Sequence, residues 1–186
     1  GCDGPMVKIA RDLIVKMDGK PMVTLIDLKA GIEDVSRGVM TGMDYIVVVA
    51  DPTTAGLELA VSVNWMIDEL HSGSEPAIEH LPTKDLADVA RIMYRDSKLK
   101  KALVVLNKVP SKGYERYMRE FLARNKILPA TVIPESAEIS YAWLRGKPIP
   151  VSGLEPKILP LVKELGIDLA EEKLTKPEAQ KREASV

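Results

Sequence analysis

Three short runs of this chain are apolar but for one residue, Thr131, and each stops at a polar residue or a polar pair. Tyr45 to Ala50 ends at Asp51-Pro52, Leu103 to Leu106 at Asn107-Lys108, and Ala130 to Ile133 at Pro134-Glu135. A strand with one wet face alternates apolar and polar residues. A run without alternation belongs to a strand covered on both faces. Between these runs lie stretches whose apolar residues recur at helical spacing. Strands alternating with helices predict an α/β fold: a three-layer arrangement, mostly parallel sheet, helices on both faces. In such sheets ligands collect beyond the carboxyl ends of the strands, where these polar residues fall.

A fourth apolar run, Val23-Thr24-Leu25-Ile26, delivers Asp27 and then the glycine-bearing segment Leu28-Lys29-Ala30-Gly31. It is predicted as the first strand, Val23 to Asp27. A helix precedes it, with Pro5 in its first turn, apolar positions from Met6 to Met17, and Asp18-Gly19 as its stop. Ala30 to Met43 is a connection with a helical turn or two. Thr53 or Thr54 caps a helix ending at Leu70, and His71 to Lys84 is a polar loop. Leu86, Val89, Ile92 and Met93 mark another helix. Ser111 caps one whose apolar face is Tyr114, Tyr117, Met118, Phe121 and Leu122. Ser136 to Arg145 and Leu154 to Leu165 are the last helices. Residues 1–166 are expected to form one domain and 167–186 a charged tail.

Composition narrows the functional classes. A net charge of −1 and the lack of a basic block interleaved with aromatics argue against a nucleic-acid surface. No apolar run approaches the length of a membrane span, and nothing resembles a signal peptide, so a cytoplasmic protein without membrane partner is expected. The single cysteine, Cys2, excludes an internal disulfide and cannot hold a metal alone. His71 and His80, nine residues apart around an acidic loop, fit no standard metal-ligand spacing.

Individual residues leave alternatives open. Asp27 suits the water shell of a magnesium ion beside a nucleotide phosphate, and equally the cap of a loop. Gly31 lets backbone N–H approach a phosphate, or simply makes a turn. Asn107 carries donor and acceptor on one amide, fit for a purine edge or for satisfying loop backbone. Pro134 and Glu135 offer a second wall, or a strand exit. The phosphate cradle Gly-x-x-x-x-Gly-Lys-Ser/Thr occurs nowhere in the 186 residues.

In order and spacing, four segments resemble the deviant Walker-A ATPases of the MinD/ParA type, above all those that help insert nickel into carbon monoxide dehydrogenase. Ile26-Asp27-Leu28-Lys29-Ala30-Gly31-Ile32-Glu33-Asp34-Val35-Ser36-Arg37-Gly38 is similar to that family's Walker B and switch II segment. The likeness continues in Val47 to Pro52, Val104 to Val109 and Ile133 to Ser136. It implies a P-loop NTPase-like fold using ATP and Mg²⁺. Asp27 would position the magnesium through water and Gly31 would sense the terminal phosphate, the two catalytic candidates. Asn107, Pro134 and Glu135 would hold adenine. A homodimer acting on a metalloenzyme client, such as carbon monoxide dehydrogenase, is implied as partner.

The chain departs from that pattern in three ways. Relatives bridge a metal between subunits with a Cys-x-Cys pair; here the stretch is Gly1-Cys2-Asp3-Gly4, leaving Cys2 as one ligand at most. Lys29 stands where a small residue is usual. The phosphate-loop strand and helix are missing, and the chain starts at Gly1 inside what reads as a motif. The expectation is therefore the carboxyl-terminal portion of such an ATPase, binding ATP weakly and turning it over negligibly. Two alternatives stand beside it. One is a non-catalytic relative acting as a protein-interaction module. The other is a septum-site or partitioning ATPase, for which the residues after Gly166 lack the basic amphipathic helix of membrane docking.

Overall fold

A computed structural model describes residues 23–28, 39–73, 83–151 and 153–167 of the chain. Its centre is a parallel sheet of three strands in the order β1-β2-β3. Strand β1 is Tyr45–Ala50, β2 is Lys101–Val109 and β3 is Thr131–Pro134. β1 and β2 run in unbroken register from Tyr45 opposite Lys101 to Ala50 opposite Leu106. Helices connect the strands, as parallel pairing requires. The α/β character and parallel sheet inferred from the apolar runs are thus present. β2 extends beyond the expected Leu103 to Leu106 and carries Asn107 and Lys108 within it.

Helix α1 (Thr54–His71) starts at Thr53, whose extended backbone and side-chain oxygen, accepting from Gly56 N–H at 3.0 Å, make it the N-cap. It buries Leu57, Ala60, Val63, Ile67 and Leu70 on one face, and Gly73 at φ +76° turns the chain away beyond its end. Helix α2 (Lys84–Arg95) follows. Helix α3 (Lys112–Arg124) is capped by Ser111, with Met118 and Leu122 buried. Helix α4 (Ala137–Leu144) is capped by Ser136 and buries no residue, and α5 (Glu155–Glu164) closes the described chain.

Ile46, Val48 and Ala50 of β1 and Val104 and Leu106 of β2 share one sheet face. They form a single core with α1 and with Met118 and Leu122 of α3. Full burial of a side chain such as Leu57 or Leu106 contributes about 1.5–3 kcal/mol. The opposite face carries Leu103, Val105 and Thr131. There α5 approaches: the Thr131 hydroxyl donates to the Lys157 carbonyl, and Lys101 pairs with Glu164 at 2.8 Å. Helix α5 packs mainly against β3, and Val49 on this face of β1 stays 56% exposed.

Two expectations are corrected. Val23 to Asp27 is not a strand: residues 23–28 make no ladder, and Leu25 is 90% exposed. Apolar, β-branched composition makes a strand only when a neighbour supplies the other half of the ladder. Among the described residues nothing pairs with this run, nor with the edge of β1 that faces away from β2. Tyr114 and Tyr117, expected on the apolar face of α3 with Met118, Phe121 and Leu122, are exposed. That helix begins just past the carboxyl end of β2, so its first turn overhangs the strand ends. A phenol tolerates such a half-wet position. The expected helix before Val23 and the tail after residue 167 lie outside the described residues, as does most of the expected connection from Ala30 to Met43.

Candidate functional site at the strand ends

Parallel register turns two separate dipeptides into neighbours. Ala50 lies opposite Leu106, so the next residues, Asp51 and Asn107, emerge side by side at the carboxyl rim. The Asn107 amide donates from Nδ2 to Asp51 Oδ1 at 3.3 Å. The other carboxylate oxygen, Oδ2, faces the Lys108 ammonium at 3.5 Å. One acidic group thus sits between two donors from the adjacent strand.

Both sides of this cluster are locally shaped. On β1, Thr53 N–H donates to the Asp51 carbonyl at 2.7 Å, starting the turn into α1. Gly56 in the first turn of α1 lies so close that a Cβ there would stand 2.8 Å from that same carbonyl oxygen. Glycine is therefore required by close approach. On β2, the register with β3 slips: Leu106 faces Val132 but Val109 faces Pro134, so three steps of β2 match two of β3. The extra residue makes a bulge at Asn107-Lys108, and Lys108 takes φ +52°. Bulges recur next to sites, where they can re-aim a side chain, and this one falls at the amide. Glu135, just past β3, is exposed and donates its N–H to Val109 O at 3.0 Å, which keeps the β3 exit beside the bulge.

Of the residues singled out in the sequence, Asn107, Pro134 and Glu135 are gathered at this rim by β2 and β3. Asp27 is exposed on the unpaired run 23–28, and no described contact joins it to the Asp51–Asn107 cluster. Gly31 and Cys2 lie outside the described residues. So does His80, while His71 Nε2 contacts the Leu99 carbonyl at 2.8 Å, an acceptor to which only N–H can donate. Among the described residues no three His, Cys, Asp or Glu side chains gather as a metal site. The part of Lys108, and the direct bond between Asp51 and Asn107, were not anticipated. The signal was available: two apolar runs of similar length, each ended by a charge-bearing dipeptide, place those dipeptides together once the strands are neighbours.

Chemically, the rim offers an amide with donor and acceptor, an ammonium, and a carboxylate beyond the neighbouring strand. Among the described residues of the rim no nucleophile is paired with a base. Such a set can bind and orient a polar ring or a small anion. The described fold and rim define the class only coarsely: an α/β protein with a parallel sheet and a polar cluster at its carboxyl edge. No family model, no curated protein and no solved structure matched the chain in comparison with known proteins.

Proposed function

We propose that this rim holds the base of a purine nucleotide, ATP, in a protein of the MinD/ParA type that serves the maturation of a metalloenzyme. One observation carries the reading: the Asn107 amide sits at a bulge near the carboxyl end of β2 and is tethered to Asp51 just past the end of β1, where parallel α/β sheets bind their ligands. Asn107 supplies hydrogen bonds to the base edge, with Pro134 and Glu135 flanking it. The Walker-like segment around Asp27 and Gly31 supports the same reading through sequence resemblance alone.

Because the 186 residues contain no Gly-x-x-x-x-Gly-Lys-Ser/Thr cradle, base and ribose contacts must supply most of the affinity. A millimolar dissociation constant, about 4 kcal/mol of binding, is the natural scale. Titrating ATP into isotope-labelled protein and following amide signals tests the reading. Saturable shifts at Asn107, Lys108 and Glu135, lost in Asn107→Ala, are expected. Shifts scattered elsewhere, or identical titrations with both proteins, overturn it.

A second reading, a protein-interaction module, is favoured by α4. Trp143 there is 75% exposed, beside exposed Tyr141 and Leu144, more apolar surface than one short helix carries without reason. Concentration-dependent association measured by light scattering, abolished in Trp143→Glu and indifferent to nucleotide, would select it.

A further inference from the structure

We propose that Asp51 is a positioning residue that fixes which way the Asn107 amide faces, and so makes the rim selective for 6-amino over 6-oxo purines. The inference rests on the reading that Asn107 holds the base. A primary amide is nearly symmetric in shape but not in chemistry: one end accepts, the other donates twice. Left alone, it flips to suit either kind of ring edge. A carboxylate accepts only. With Asp51 Oδ1 at 3.3 Å, the NH₂ end is the one that can face it; the reversed amide would set oxygen against carboxylate oxygen.

The carboxylate also meets a cation. Its second oxygen is engaged by the Lys108 ammonium at 3.5 Å. The Asp51 backbone carbonyl accepts from Thr53 N–H at 2.7 Å and abuts Gly56, which fixes where the side chain starts. One N–H of Asn107 is thereby committed inward. The edge left over presents the carbonyl oxygen and the remaining N–H side by side. That acceptor–donor edge complements the amino group and adjacent ring nitrogen of adenine, which offer donor and acceptor in the same spacing. A 6-oxo purine in the same pose sets oxygen against the amide oxygen, and the amide cannot turn to relieve it.

The decisive variant is Asp51→Asn, which keeps shape and hydrogen-bonding capacity but can donate as well as accept, so both orientations of Asn107 become equal. Affinities for ATP and GTP would be measured for wild type, Asp51→Asn and Asn107→Ala. Wild type is expected to prefer ATP, and Asp51→Asn to reduce the ATP-to-GTP ratio about tenfold, chiefly by tightening GTP, which corresponds to about 1.4 kcal/mol. Equal weakening of both nucleotides, or an unchanged ratio, overturns the positioning role while leaving base binding intact. If wild type and Asn107→Ala bind ATP alike, the base-binding reading itself fails and this inference with it. Should Asp51→Asn not fold, the wild-type Asn107 side-chain signals decide. One proton displaced downfield by its charged acceptor is expected, and the pattern of a freely rotating, solvated amide overturns the proposal.

Discussion

The same substitution, glycine to alanine, should have opposite effects at two helix starts in this protein, and the reason is visible in interatomic distances. In both cases alanine is the better helix former, by about 1 kcal/mol in a helix interior and less in a first turn. At Gly113, second residue of α3, an added Cβ meets nothing nearer than the Ser111 hydroxyl at 3.7 Å, an ordinary contact. At Gly56 it would stand 2.8 Å from the Asp51 carbonyl oxygen and 3.2 Å from the Asp51 nitrogen. Those atoms are backbone, held by the Thr53 N–H and by the β1 register, and cannot swing aside. Overpacking of this kind costs about 1–3 kcal/mol, which exceeds the propensity gain. Gly113→Ala should therefore stabilise by roughly 0.5 kcal/mol, and Gly56→Ala should destabilise by about 1–2 kcal/mol. Urea unfolding of the three proteins, with equal slopes to license the comparison, gives both values. A Gly56→Ala protein as stable as wild type would refute the close packing of α1 against Asp51.

Leu106→Ala, at a fully buried position of the central strand, should cost about 2–5 kcal/mol in the same assay. The Thr53→Ala change removes the side-chain cap of Gly56 N–H and should cost about 1 kcal/mol. The Glu115 carboxyl is held below its ordinary range, first by its hydrogen bond from Arg119 and then by Lys112. A depressed carboxyl stabilises above its unfolded value and loses that contribution as pH falls through the folded value. The advantage of wild type over Glu115→Gln should therefore be present at neutral pH and vanish in acid. For solvated helix pairs this amounts to about 0.2–0.5 kcal/mol each, read from unfolding midpoints across pH. Phosphate release from ATP by the 186-residue chain should equal a buffer blank; release above it would overturn the inference from the missing cradle. Finally, Lys108→Gly should leave stability unchanged or raise it by up to about 1 kcal/mol, since glycine adopts positive φ without strain.

What the sequence disclosed and what it withheld follow from one distinction. The buried strands were legible because Ile46, Val48, Val104 and Leu106 sit between layers, where a polar side chain needs a partner, as the Thr131 hydroxyl has in the Lys157 carbonyl. The caps Ser111 and Ser136 were legible because a side-chain oxygen at a helix start satisfies a backbone donor that nothing else reaches. Val23 to Asp27 misled because its composition is that of a strand, while strand formation depends on a partner that composition does not specify. The tyrosines of α3 misled because helical spacing fixes which residues share a face, not how far that face extends over the sheet. At the rim, Asn107, Pro134 and Glu135 were found as strand-end polar groups. The bulge was not, because it depends on how β2 and β3 slide past each other, and no residue in either strand announces that.

Stability alone does not account for the Asn107-Lys108 bulge. Two non-glycine residues have positive φ among the described ones, Lys108 and Lys126. Lys126 is explained by its place: it follows α3, its N–H donates to Ala123 O, and Ile127 N–H donates to Leu122 O, the pattern by which helices commonly end. Lys108 ends no helix. It lies inside a strand, where a left-handed residue other than glycine costs about 1–2 kcal/mol and the bulge forgoes ladder bonds as well. The compensating contact is its ion pair with Asp51, whose side chains are 67% and 46% exposed. Pairs that wet contribute about 0–1 kcal/mol. The balance is unfavourable or at best even, so the arrangement is not there to hold the fold together. Strained backbone that stability does not explain gathers at sites of function, and this strain lies beside the Asp51–Asn107 contact on which the proposed base-binding reading rests.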